Sequence, residues 1–134
     1  MKYQIELSEK QLKIVMRALE RYFRLNMGQF SDYVDEIAFE GFEYNKDNPD
    51  NDKLFNERIK RRNDAQDMFD KAFRVARPCC TEKSEDTNRA IDIFTTFRYH
   101  LWEWRPEPKP HDTVDSRKPL PFTDEELPII RRLQ

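Results

Sequence analysis

Glycine is almost missing from this chain: Gly28 and Gly41 are the two that occur in 134 residues. A glycine-rich phosphate loop is therefore excluded, and no G-x-S-x-G nucleophile turn occurs. Cysteine is equally scarce. Cys79 and Cys80 are neighbours in sequence, and no third cysteine exists to bridge either. Free thiols in a reducing compartment are the expectation. The two histidines, His100 and His111, are not spaced as a ligand pair, and adjacent cysteines do not match the C-x₂₋₄-C pattern of zinc sites. No metal and no other cofactor is expected. No apolar run approaches the ~20 residues of a membrane span, and MKYQIELSEK has no signal-peptide core. A soluble, cytoplasmic protein is expected, with no membrane partner. Charge of one sign is also lacking: 24 basic residues face 26 acidic ones, for a net charge of −2. A duplex-DNA binder normally carries a strong basic excess, so nucleic acid is not an expected partner.

What remains is polar and aromatic. Charged residues make up 37% and aromatic residues 13%, while the hydrophobic share of 37% is below the usual ~45–50%. The few apolar residues are large, and the core they can build is modest. Burial against a second copy is the natural supplement, so a homo-oligomer is expected.

The periodicity predicts a mainly α-helical single domain over 1–134, with about four helices, a short strand and an extended tail. Lys2 to Leu7 alternates as a half-buried strand, whose partner is either the C-terminal segment or a second copy. Ser8 and Gln11 have capping-box spacing and open the first helix, which Gly28 ends as its C′ residue. Ser31 is the expected cap of a second helix from Asp32 to Tyr44, with Gly41 in its last turns. A turn surrounds Asn48-Pro49. The third and longest helix runs from about Asp52 to Arg77, and Pro78 stops it. Its basic run of Arg58, Lys60, Arg61 and Arg62 reads as a solvated surface neutralised by Glu57 and Asp64. The fourth helix covers Thr87 to Arg105, capped by Ser84 or Asp86. Six of the eight prolines follow it, so 106–134 is extended. That tail keeps Val114, Leu120, Phe122, Leu127, Ile129, Ile130 and Leu133 and is expected to pack on the helices or on a neighbouring subunit.

The Thr87 helix carries two stripes. Ala90, Phe94, Phe97, Leu101 and Trp104 form an apolar face. Beside it run Ile91, Thr95, Arg98, Trp102 and Arg105, which set two guanidinium groups around an indole. Guanidinium forks bind phosphate oxygens in bidentate fashion, and an aromatic face stacks on a base. The plainer reading makes Trp102 an interface aromatic and pairs both arginines with nearby acids. Arg24, Arg74 and Arg117 are further phosphate forks, Phe73 and Tyr99 are further stacking faces, and His111 to Asp115 suits a lid held among prolines. A second constellation is acidic: Asp35, Glu36 and Glu40 on one helix, Asp64 and Asp67 on the next. It resembles the Mg²⁺ sites of all-α nucleotide pyrophosphohydrolases, off by one residue in its first half, and the plainer reading is ordinary helix-surface charge.

Three segments carry a further resemblance. Arg24-Leu25-Asn26-Met27-Gly28-Gln29-Phe30 resembles an R-[IL]-x-x-G-Q-F segment of small phage-encoded proteins. Phe97 to Trp102 resembles their [IV]-R-H-x-L-W segment. His111 to Asp115 resembles their H-T-V-D tail, with Asp112 inserted. Order and extent along the chain are similar to the Thoeris anti-defence proteins of the first type. That resemblance implies a homo-oligomer that sequesters a cyclic ADP-ribose-type or cyclic-oligonucleotide immune signal between subunits without cleaving it. The chain is then not an enzyme, and its partner is a small nucleotide-derived ligand in the cytoplasm of an infected bacterium. The candidate ligand-binding residues are Arg24, Gln29, Phe73, Arg74, Asn88, Arg98, Trp102, Arg105 and Arg117. The alternatives are a Mg²⁺-dependent nucleotide pyrophosphohydrolase and a structural or adaptor protein with no small ligand.

Overall fold

A computed structural model describes residues 4–45, 47–77 and 83–133. It is mainly α-helical: α1 (Glu9–Asn26), α2 (Ser31–Phe39), α3 (Asn51–Ala76) and α4 (Glu85–Glu103), followed by a 3₁₀ turn at Val114–Ser116. No β-strand occurs among the described residues, and Lys2 and Tyr3 of the expected strand lie outside them. Cys79 and Cys80 also lie outside them. The chain gathers into two compact units, one of 1–26 with 83–134 and one of 27–82.

In the first unit α1 packs on α4. The entry to α1 is a reciprocal capping box: Ser8 N donates to Gln11 Oε1 at 2.9 Å, and Gln11 N donates to Ser8 Oγ at 3.3 Å. Two orphan donors of the first turn are thereby satisfied. Glu20 and Arg24 pair at i, i+4, 2.9 Å apart. The core is small. Phe23 meets Phe94 edge-to-face with centroids 5.3 Å apart, and Ala90 and Ile91 are buried beside them. Thr87 and Thr96 are more deeply buried than any of these, and each is hydrogen-bonded, Thr87 to Asn26 and Thr96 to the Asp92 carbonyl. Buried hydroxyls with partners avoid the desolvation cost that unpaired ones carry.

Ser84 caps α4 by accepting from Thr87 N at 3.2 Å. With this cap α4 starts two residues before Thr87, and Glu85 and Asp86 in its first turn suit the helix dipole. It also ends two residues before Arg105, with Trp104 at the C-cap. Arg105 therefore follows the helix, and Pro106 prevents its continuation. The Glu107–Pro108 peptide bond is cis.

The second unit pairs α2 with α3. Phe30 stacks on Phe69 at 5.3 Å and meets Phe73 edge-on at 5.5 Å, with Val34 buried one turn later. Burial of Phe30 holds its backbone in the αR region, so Phe30 is the cap position and Ser31 the first helical residue. Ser31 is thus not the cap that its residue type suggests. Helix α2 is also shorter than expected, ending at Phe39 and not at Tyr44. Gly41 at φ +66° turns the chain, and Phe39, Phe42 and Tyr44 converge on Phe55 with centroids 5.7–6.0 Å from it. A continued helix would spread these rings around its axis, whereas the turn gathers them on one side.

Candidate functional site

The 3₁₀ turn is set against α4 and brings the tail to the expected arginine–tryptophan stripe. Asp115, in that turn, lies between the two arginines. Its Oδ1 is 3.9 Å from Arg98 Nε, and its Oδ2 is 3.4 Å from Arg105 Nη2. Arg105 reaches Asp115 from beyond the helix end, so the helical i, i+7 relation does not by itself set its position. The turn is held by Ser116 Oγ, which donates to the Thr113 carbonyl at 2.8 Å and accepts from Thr113 N at 3.2 Å. Asp112 precedes it at φ 62°, a left-handed conformation that Asp tolerates better than most residues.

Trp102 is fixed on three sides by the tail. Its Nε1 donates to the Pro110 carbonyl at 2.7 Å, the Lys109 ammonium sits 4.5 Å from the ring centroid, and His111 meets the ring edge-on at 5.6 Å. Lys109 also donates to the Glu103 carbonyl at 2.9 Å, which complements the α4 C-terminus. Arg98 is three-quarters buried, and its guanidinium carbon lies 5.5 Å from the Phe94 centroid. Its Nε is buried without a hydrogen bond. At 3.9 Å the Asp115 carboxylate gives charge attraction but no hydrogen bond. A strong donor is therefore held beside an anion that does not satisfy it.

A second set of contacts anchors the tail. Asp92, buried inside α4, accepts from Phe122 N at 2.7 Å, Thr123 N at 3.1 Å and Thr123 Oγ1 at 2.7 Å. Arg89 pairs with Glu125 of the tail at 2.7 Å and with Asp86 and Glu85 of its own helix. The Glu125 hydrogen bond holds the Arg89 guanidinium above its usual pKa. Sequence reasoning passed over Asp92. Its signal was an acid set between Ile91 and Ile93 in the apolar stretch of a helix.

The expected site residues divide between the two units. Arg98, Trp102 and Arg105 share the tail contacts just described. In the same unit Asn88 is half-buried on α4, Arg24 pairs with Glu20 on α1, and Arg117 is the exposed residue after the 3₁₀ turn. Gln29, Phe73 and Arg74 belong to the other unit. Gln29 is exposed between α1 and α2, and Arg74 is exposed in the last turn of α3. Phe73 is half-buried against Phe30 and fills the space beside Gly28.

The acidic constellation does not form a metal-holding cluster among the described residues. Asp35 accepts from Arg62 Nε at 2.5 Å, which raises the Arg62 pKa, and Asp64 and Asp67 are exposed on α3. Among the described residues no group of three His, Cys, Asp or Glu side chains is placed to hold a metal ion. The basic run on α3 is not neutralised by Glu57 and Asp64 as expected. Arg58 donates to the Ala38 and Glu40 carbonyls, and Arg62 reaches across to Asp35. The α2 C-terminus offers unpaired carbonyls, and a guanidinium on the adjacent helix satisfies them better than a side chain on its own helix. Among the described residues no helix is long and apolar enough to cross a membrane. No protein-family model matches the chain, and neither the curated proteins nor the solved structures give a match.

Proposed function

We propose that this chain is a cytoplasmic binding protein that captures a small nucleotide-derived signal without cleaving it. The signal class is a cyclic ADP-ribose-type molecule or a cyclic oligonucleotide, the setting is phage counter-defence, and the working form is a homo-oligomer. The observation that carries the reading is the unfinished pairing around Asp115. Arg98 offers a buried Nε–H with no acceptor, Arg105 stands on the other side of the same carboxylate, and the same tail holds Trp102, one helical turn from Arg98. A phosphate supplies more acceptor oxygens than one carboxylate and accepts from a guanidinium fork in bidentate fashion. Displacement of Asp115 by such a group satisfies the orphaned donor and frees the tail turn to reseat. The resemblance of the Arg24–Phe30, Phe97–Trp102 and His111–Asp115 segments to the Thoeris anti-defence proteins supports the signal class.

Mass spectrometry of small molecules released by heat from the purified protein, after exposure to a signal-producing lysate, tests the reading. An intact cyclic nucleotide is expected. A converted product would instead make the chain an enzyme of the pyrophosphohydrolase kind.

A further inference from the structure

Between α2 and α3, within the second unit, lies a groove of about 400 Å³. Its size is in the ~300–1,000 Å³ range of small-molecule sites. Val34, Ile37 and Phe69 give it an apolar floor, and Arg58, Arg61 and Arg62 line it from α3. No acidic residue is among its lining residues. Of the three arginines, Arg62 alone has a carboxylate partner among the described residues, Asp35. Arg58 is held by two carbonyls and by the Phe42 ring, 4.9 Å from its guanidinium carbon, so its charge is positioned but not neutralised. Arg61 makes no ion pair or hydrogen bond among the described residues. Ile37 is 56% exposed at the same place, which leaves apolar surface beside the free guanidinium.

We infer that this groove binds a small amphipathic carboxylate, with the carboxylate on Arg61 and an aliphatic or aromatic body against Ile37 and Phe69. The inference goes beyond the nucleotide reading and does not rest on it. The charge pattern selects the occupant. A cation meets the unneutralised charge of Arg58 and Arg61, and a neutral apolar molecule leaves Arg61 uncompensated. One free planar fork matches one carboxylate in bidentate geometry. An anion without a body gains little at an exposed arginine, because exposed ion pairs are weak. The apolar floor supplies the remainder of the affinity.

Octanoate, octylammonium and acetate separate these contributions when each is titrated into the isotope-labelled full chain and backbone amide shifts are followed. Saturable shifts confined to α2 and α3 are expected with octanoate, and none with the other two. Arg61→Glu should weaken octanoate at least about tenfold, a charge-assisted fork being replaced by repulsion. Lys60→Glu makes the same charge change next to the lining and should leave octanoate binding in place. Arg61 is exposed and unpaired, so its replacement should not unfold the chain. Equal binding of octylammonium, unchanged octanoate affinity in Arg61→Glu, or shifts scattered over both units would overturn the inference. So would absent octanoate binding with a dimer that Ile37→Asp converts to monomer, because the groove would then belong to a second copy. Capture of a heat-released nucleotide by Arg61→Glu separates failure here from failure of the nucleotide reading.

Discussion

At the scale of single residues, the two glycines sit in similar backbone conformations with different surroundings. Both have positive φ, which costs an L-residue roughly 1 kcal/mol. A Cβ on Gly28 would also lie 2.7 Å from Phe73 Cε1, whereas one on Gly41 meets nothing within 4 Å. Gly41→Ala should lower stability by about 1 kcal/mol and Gly28→Ala by about 2–3 kcal/mol. Denaturant titration of both variants measures the difference, and equal losses would mean that the Phe73 ring moves freely. Arg98 gives the second residue-scale prediction. Arg98→Ala should weaken capture of the heat-released ligand at least about tenfold, from the ~1.4 kcal/mol equivalence, and Arg98→Lys should restore little. Titration calorimetry beside a melting curve decides between a binding and a structural role. Unchanged affinity with a lowered Tm would assign Arg98 to packing against Phe94.

At the scale of elements, a buried carboxylate on α4 is one of the fastenings of the tail. Asp92 accepts three hydrogen bonds from Phe122 and Thr123. Hydrogen bonds to a charged group are worth roughly 1.5–3 kcal/mol each, and Asp92→Ala leaves two backbone donors without their acceptor. A loss of about 3 kcal/mol or more is expected, with faster hydrogen exchange at the Phe122 and Thr123 amides. Protected amides in that variant would show that the tail is held by its apolar residues instead. The connection from α2 to α3 has its own clasp, in which the Tyr44 hydroxyl donates to Asp52 at 2.6 Å. That bond and the neighbouring negative charge raise the Tyr44 pKa above its ordinary value of ~10. The contribution of a raised group is complete below the ordinary value and is lost as pH rises through the raised one. Phenolate absorbance should show a titration step above the ordinary tyrosine value, and Tyr44→Phe should remove that step. The connection should loosen only at strongly alkaline pH.

At the scale of the whole chain, little apolar surface is buried. Among the described residues six hydrophobic side chains are buried, while Val75, Ile129, Ile5, Leu120 and Met68 are each more than 70% exposed. Side chains of this size outside water are worth roughly 1.5–3 kcal/mol apiece. Assembly with a second copy is therefore expected to supply stability that one chain lacks. Light scattering should give at least a dimer, and Tm should rise with protein concentration. A strict monomer would count against both assembly and a ligand site shared between subunits.

Local rules written in the sequence determined the helices. The Ser8–Gln11 box, the Ser84 cap and the 3.6-residue periodicity act through neighbours within one turn, so they are legible without the fold. Contacts between distant segments decided the rest. The end of α2 depended on three rings gathering on Phe55, and the cap at Phe30 depended on Phe69 and Phe73, about forty residues away. The stripe of Arg98, Trp102 and Arg105 was visible as spacing, but its chemistry is set by Asp115, Pro110 and Lys109, which the tail delivers from outside the helix. The α3 arginines were read as surface charge because their spacing is that of any polar face. Only the packing of α2 against α3 placed an apolar floor beside them and left Arg61 without a carboxylate among the described residues. Spacing along a helix fixes which side chains share a face, and the segment packed opposite fixes what that face can bind.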